Sequence, residues 1–105
     1  MSALGTEYKI NVCVEPVDGS TMDDFDFECT LYVYKNNEVT FKKGDEAVKR
    51  EDKNNYRICV SSQHAVKIGR GSVKMKFVAH IPDYDFFDGF RTEIVDNICT
   101  GVVIT

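Results

Sequence analysis

Residues 25–34, FDFECTLYVY, decide the fold class of this chain, because a strongly apolar row alternates with a more polar one along the whole segment. A two-residue period is typical of a β-strand with one buried face. The alternation therefore predicts a strand whose inward row is Phe25, Phe27, Cys29, Leu31 and Val33.

The same period recurs on both sides of this segment, separated by residues that favour turns. A first strand ends near a turn at 16–20. A hairpin turn at 35–38, in which Asn supplies left-handed backbone, leads to a short strand at 39–42, and Gly44-Asp45 makes another turn. The charged stretch 45–55 shows no strand pattern. Residues 61–68 could hold one helical turn closed by Gly69 and Gly71. The other predicted inward rows are Tyr8, Ile10, Val12 and Val14; Tyr56, Ile58 and Val60; Val73, Met75, Phe77, Ala79 and Ile81, ended by Pro82; and Ile98, Val102 and Ile104, with an extension through Thr92 and Ile94 left open.

About seven short strands at such intervals favour an antiparallel immunoglobulin-like β-sandwich over a barrel. Trp is absent and the cysteines do not suggest the antibody-type bridge, so the likeness is to the architecture only. We expect one domain over residues 1–105, which is enough chain to bury a core. The strongest expected core residues are Phe27, Leu31, Val33, Ile58, Val60, Met75, Phe77 and Ile81.

Composition narrows the classes of function. With 43% hydrophobic and 29% charged residues the chain is ordinary globular protein, and a net charge of −4 disfavours nucleic acid as a partner. The start of the chain shows no secretory signal, and the apolar runs are too short for a membrane helix, so we expect a protein made and kept in a cytosol, with no membrane partner. Cys13, Cys29, Cys59 and Cys99 are scattered, and we expect four free thiols.

No catalytic constellation is recognisable. His64 and His80 are the only candidates for a near-neutral general base, and neither has a nucleophile in a known pattern beside it, although Ser61-Ser62 lie close to His64 in sequence. Surface or half-buried histidines are the simpler interpretation. We therefore predict no enzyme, no catalytic residue and no cofactor.

Metal and anion sites are also disfavoured. Asp residues cluster at 23–26 and again at 83–88, but the second cluster lacks the spacing of a calcium loop, and Asp in turns is more often a local backbone acceptor. The cysteines and histidines have no zinc spacing. A small basic edge around Arg70, Lys74 and Lys76 is better explained as the solvent face of a strand. We predict no metal.

The segment 81–94 is too aromatic for a solvated connection, since Tyr84, Phe86, Phe87 and Phe90 fall within seven residues. Two alternatives stay open: the rings fold back over the end of the sandwich, or a partner protein covers them, as aromatic patches with charged rims mark interfaces. The predicted protein interface consists of Asp83, Tyr84, Asp85, Phe86, Phe87, Asp88, Phe90 and Arg91, with the aspartates shaping the turns.

The stretch NNYRICVSSQHAVKIGRGSVKMKFVAHIPDYDFFDGFRTEI (54–94), with MDDFDFECTLYVY (22–34) before it and TGVVI (100–104) after it, resembles small proteins and domains of tailed phages and prophages of Bacteroides-type hosts. The layout is similar to that of immunoglobulin-like anchoring domains in phage baseplate and fibre proteins. The resemblance covers about four fifths of the chain. Phe87 stands where the resemblance leads us to expect Pro. The residues assigned to the shared loop are Ile81, Pro82, Asp83, Asp85, Phe86, Asp88, Gly89, Arg91, Thr92 and Glu93.

The resemblance implies a non-enzymatic virion structural protein: a head-fibre, capsid-auxiliary or tail adaptor subunit that contacts other virion proteins and occurs in multiple copies in a symmetric assembly. A different class stays open as the alternative, a stand-alone ligand- or glycan-binding module that uses exposed aromatic rings as stacking platforms.

Overall fold

A computed structural model describes residues 3–14 and 20–105, and in this part of the chain the secondary structure is mainly β. The strands are β1 (Tyr8–Cys13), β2 (Asp26–Tyr32), β3 (Val39–Lys42), β4 (Val48–Asp52), β5 (Asn55–Val60), β6 (Gly71–Pro82) and β7 (Phe90–Ile104), and a helix α1 (Ser62–Ile68) joins β5 to β6. Short 3-10 turns occupy Met22–Asp24 and Lys35–Asn37.

The strands form two antiparallel sheets that pack as a sandwich. One sheet has the order β1-β5-β4 and the other β3-β2-β6-β7. The predicted β-sandwich is thus confirmed. In the register of β2 against β6, Leu31 lies opposite Met75 and Cys29 opposite Phe77, so the two inward rows share one face.

The core lies between the sheets and is centred on aromatic rings. Phe27 of β2 contacts Tyr56 of β5 at 5.1 Å and Phe77 of β6 at 5.5 Å between ring centroids. All the strongest expected core residues are buried except Val33, which follows the end of β2 and is partly buried against the core. Burial raises the pKa of the Cys29 thiol, in the inward row of β2, to about 12. All four cysteines are free thiols.

Two local predictions need correction, and a third falls mostly on residues that the structure does not describe. The charged stretch 45–55 contains β4, whose single buried residue, Val48, is too little apolar signal to show alternation. The turn between β2 and β3 is a 3-10 turn, and its Asn residues do not have the predicted left-handed backbone. Among the described residues other than glycine, the positive φ belongs to Asn97 in β7, at 59°. The turn expected at 16–20 lies, apart from Ser20, outside the described residues.

The helix prediction at 61–68 is correct, and its boundaries have clear causes. Ser61 is the N-cap, since its Oγ accepts the main-chain N–H of His64. Gly69 follows the last turn with φ 95°, a backbone conformation that favours glycine. Ala65 and Ile68 pack into the core, so α1 closes one end of the sandwich.

The segment before β2 is fixed to the body by polar contacts. Lys43 Nζ donates to the main-chain oxygens of Met22, Asp23 and Phe25 at 2.8–3.1 Å. Arg50 holds the Asp23 carboxylate with a two-pronged contact at 2.8–3.1 Å, and Tyr56 Oη donates to the same carboxylate. The hydrogen bonds from Arg50 and Tyr56 lower the pKa of Asp23 to about 2.

Candidate functional site

The candidate site is the tip of the β6–β7 hairpin, residues 83–89. β2 pairs with β6 as far as His80, whereas β6 and β7 remain paired through Pro82 and Phe90. In the described part of the chain, no third strand therefore pairs with the last residues of this hairpin, and the loop lies beyond the end of β2.

The backbone of the loop is tightly folded. Asp83 N–H donates to Gly89 O at 2.9 Å, Phe86 N–H donates to Asp83 O at 3.3 Å, and Gly89 N–H donates to Phe86 O at 2.9 Å. Gly89 has φ 81°, which an L side chain rarely adopts. Two consecutive turns of this kind hold the side chains of the loop in a defined arrangement.

Two of the three aspartates shape these turns, as predicted. Asp83 Oδ1 accepts the main-chain N–H of Asp85, and Asp88 Oδ1 accepts that of Phe90, both at 3.1 Å. Asp85 contributes its main-chain N–H. These are the contacts of Asx turns, in which the side chain replaces a backbone acceptor. Among the described residues there is no group of three or more His, Cys, Asp and Glu placed to hold a metal ion.

The aromatic rings of the loop point into solvent. Tyr84 is 96% exposed and Phe87 is fully exposed, while Phe86 and Phe90 are 50% and 47% exposed. In the single chain, therefore, these rings do not fold back over the end of the sandwich, which was the first of the two alternatives. These four side chains, called the aromatic cluster below, are interspersed in sequence with the carboxylates of Asp83, Asp85 and Asp88.

Arg91 lies at the base of the loop and connects it to β7. Its Nη1 contacts Asp83 Oδ2 and its Nε contacts Glu93 Oε1, each at 3.2 Å. These ion pairs place one cation between two anions on the rim of the aromatic cluster. The predicted interface residues are therefore brought together at one end of the molecule.

The residues considered for catalysis, His64, His80 and Ser61, make packing and capping contacts. The His64 ring packs edge-on against Phe41 at 5.1 Å, and His80 Nδ1 lies 3.4 Å from Thr92 Oγ1 on the outer face of the sheet. Ser61 caps α1. Two lysines of the basic edge lie beside other side chains. Lys74 Nζ is 3.1 Å from Cys99 Sγ, and Lys76 lies near Glu38 and Asp96.

What sequence reasoning missed is the length of β7. The strand runs from Phe90 to Ile104 and forms one edge of its sheet. Ile94 and Val95 are more than half exposed, which is unusual for apolar residues in a strand. The β-branched residues in 92–95 were the available signal, although their exposure could not be read from the sequence.

A scan against protein-family models and searches of curated proteins and of solved structures each found no match for this chain. Within the described residues, the helices are all too short to cross a membrane.

Proposed function

We propose that this chain is a non-enzymatic structural protein of a tailed-phage virion, present in multiple copies as a head-fibre, capsid-auxiliary or tail adaptor subunit, which binds other virion proteins through the loop 83–89 and through strand edges. The observation that carries the proposal is the exposed aromatic cluster on a well-ordered loop. The resemblance of residues 81–93 to the phage loop supplies the class of partner.

The energetic argument rests on what the exposed rings would gain from a partner. Burying a Phe side chain is worth roughly 1.5–3 kcal/mol, so the cluster leaves unused an energy comparable to the whole stability of a small domain. A loop already held by turns loses little entropy when it binds, which raises the fraction of that energy available for affinity. Arg91 and Glu93 would form the polar rim and add specificity.

We also propose an immunoglobulin-like topology for the sandwich. The order β1-β5-β4 corresponds to strands B, E and D of such a fold, and β3-β2-β6-β7 corresponds to C′, C, F and G. This correspondence supports the proposal, under which the loop 83–89 would lie between F and G. In variable domains of antibodies the F–G loop is one of the antigen-binding loops, so a contact role suits this position.

The test is the double variant Phe86→Ser/Phe87→Ser, with Tyr34→Ser as the matched control. Tyr34 is an aromatic residue that is 62% exposed and lies outside the loop, just before the 3-10 turn that follows β2. We expect both variants to stay close to the thermal unfolding midpoint of the parent, because Phe87 is fully exposed and Phe86 and Tyr34 are at least half exposed. Only the loop variant should fail to co-purify with virion proteins encoded by adjoining genes, or to enter particles.

Two results would contradict the proposal. A large drop in the unfolding midpoint of the isolated loop variant would show that the rings belong to the chain's own core. Unchanged incorporation into particles would show that the loop is not the contact. The alternative, a glycan-binding module, predicts instead that the isolated chain binds a carbohydrate array and that Tyr84→Ala or Phe87→Ala abolishes that binding.

A further inference from the structure

The first five residues of β7, Phe90-Arg91-Thr92-Glu93-Ile94, form a self-complementary sequence on an open sheet edge. Thr92 is at the centre, a cation and an anion flank it, and an apolar residue stands at each end. In antiparallel pairing with an identical strand about Thr92, Arg91 lies across from Glu93 of the other strand, and Phe90 lies across from Ile94. Both are favourable cross-strand pairs, as is Thr opposite Thr.

The edge of β7 that carries this sequence is open to pairing with another strand. β7 is the last strand of its sheet, and its far side pairs with no strand in the described part of the chain. Phe90, Thr92 and Ile94 lie across from Pro82, His80 and Val78 of β6 and share the outer face. Phe90 and Ile94 are 47% and 59% exposed there.

The main-chain groups also have the required orientation. Asp83 N–H donates to Gly89 O, so in the antiparallel ladder the main-chain groups of Arg91 and Glu93 point toward β6. Those of Thr92 and Ile94 consequently point to the open edge. The N–H of Phe90 is taken by Asp88 Oδ1, but its carbonyl stays available to an incoming strand.

We propose that a second copy of this chain pairs with β7 by antiparallel strand addition centred on Thr92, joining two four-stranded sheets into one across a twofold axis. The inference rests on the proposed function for its role in a particle, and it deepens that function by naming one partner of the strand edge. Thr92 N–H donates to Thr92 O of the other copy, Ile94 N–H donates to Phe90 O of the other copy, and the twofold repeats both bonds.

The charge pattern selects this register over its neighbours. Side chains that face each other in a sheet must lie on the same face, so the register can move only in steps that keep that parity. A twofold centred on Arg91 would set two Arg91 side chains opposite each other, and one centred on Glu93 would do the same with two glutamates. Charges on an edge strand usually prevent pairing. Here their opposite signs on either side of Thr92 favour the register centred on Thr92 over these two neighbours.

The irregular remainder of β7 limits the seam to this short segment. The ladder between β6 and β7 shifts between Phe77 and Met75, where Asn97 has positive φ and Tyr32 Oη donates to Asp96. It shifts again between Lys74 and Ser72. Bulges of this kind end strand pairing at an edge. A short seam gives weak association in solution that grows strong when a particle holds many copies close together.

Disulfide trapping tests the register even when association is weak. In a background with the exposed Cys13 and Cys99 replaced by Ser, Thr92→Cys places two thiols on the axis, with Cα atoms about 5.5 Å apart, which suits a disulfide. The matched control, Ile94→Cys, leaves its two thiols roughly 14 Å apart at ~3.4 Å per residue. In a glutathione buffer we expect Thr92→Cys to form covalent dimer at least about tenfold faster than Ile94→Cys. Equal rates, or faster cross-linking of Ile94→Cys, would overturn the proposal.

A mixing experiment tests the charge pairs. In the Thr92→Cys background, Glu93→Arg gives a chain with two cations on the seam, and Arg91→Glu gives a chain with two anions. Each alone should cross-link more slowly than the parent, and an equal mixture should regain the parent rate through mixed dimers. A mixture no faster than the separate chains would refute the pairing. The loop variant Phe86→Ser/Phe87→Ser should still form the Thr92→Cys cross-link even if it no longer binds particles. The two proposals can therefore fail separately.

Discussion

Two segments of this chain have nearly the same composition and opposite fates. MDDFD at 22–26 and DYDFFD at 83–88 both interleave carboxylates with large apolar or aromatic side chains. In the first, Met22 and Phe25 are buried in the core, whereas in the second Tyr84 and Phe87 stand in solvent. Composition alone therefore does not decide whether an acidic-aromatic segment is core or surface.

The difference lies in the groups around each segment. At 22–26, Lys43 binds main-chain carbonyls, and Arg50 and Tyr56 hold Asp23. These polar groups therefore have partners while the two apolar side chains of the segment enter the core. At 83–88 the side chains of Asp83, Asp88 and Arg91 make their polar contacts within the hairpin itself. A segment whose polar groups bind the rest of the domain packs its apolar side chains into the core. A segment whose polar groups bind one another can extend into solvent.

The largest expected effect separates the two segments by stability. Phe25→Ala removes a buried ring that packs edge-on against Phe27 at 6.3 Å and should cost about 3–5 kcal/mol of unfolding free energy. Phe87→Ala, in the second segment, should change it by no more than about 0.5 kcal/mol. Urea denaturation followed by far-UV circular dichroism measures both. Similar losses for the two variants would remove the contrast.

The sequence predicted the part of the fold that depends on alternation. The rows on β2, β5 and β6 were correct because each strand has one fully buried face, as with Leu31, Ile58 and Phe77. β4 was not predicted, because only Val48 enters the core and the strand is held by its main-chain pairing with β5. Such main-chain pairing leaves no trace in side-chain periodicity.

For the candidate site, the sequence located the ring cluster but not its environment. Tyr84, Phe86 and Phe87 could be identified as unusual from their density alone. Whether they were covered depended on how far the β6–β7 hairpin extends past β2, which is set by the register of Asp26 against His80. Register is a tertiary property, fixed by contacts between residues far apart in sequence.

An intermediate effect comes from the anchoring carboxylate. The folded-state pKa of Asp23 is about 2, lowered from 3.8, so its contribution to stability is fully present above about pH 4 and is lost as the pH falls toward 2. We expect Asp23→Asn to be less stable than the parent at pH 7 and the two proteins to converge near pH 2. Denaturant titrations across this range measure the gap. A gap that is independent of pH would mean that the carboxylate charge is not what anchors this segment.

The smallest expected effect is on the corresponding carboxylate of the loop. Asp83 accepts the main-chain N–H of Asp85 and pairs with the partly exposed Arg91, contacts that are each worth little because water competes for both groups. Asp83→Asn should therefore lower the unfolding free energy by about 0.5 kcal/mol or less, with Asp85→Asn as the control in the same loop. Its consequence should appear instead in local order: hydrogen exchange of the Phe86 and Gly89 amides, which close the two turns, should accelerate while amides in β2 and β5 keep the parent rates. A loss of global stability as large as that of Asp23→Asn, with exchange accelerated throughout the sandwich, would show that the hairpin tip unfolds together with the body. The contrast between an anchored segment and a self-sufficient one would then have to be abandoned.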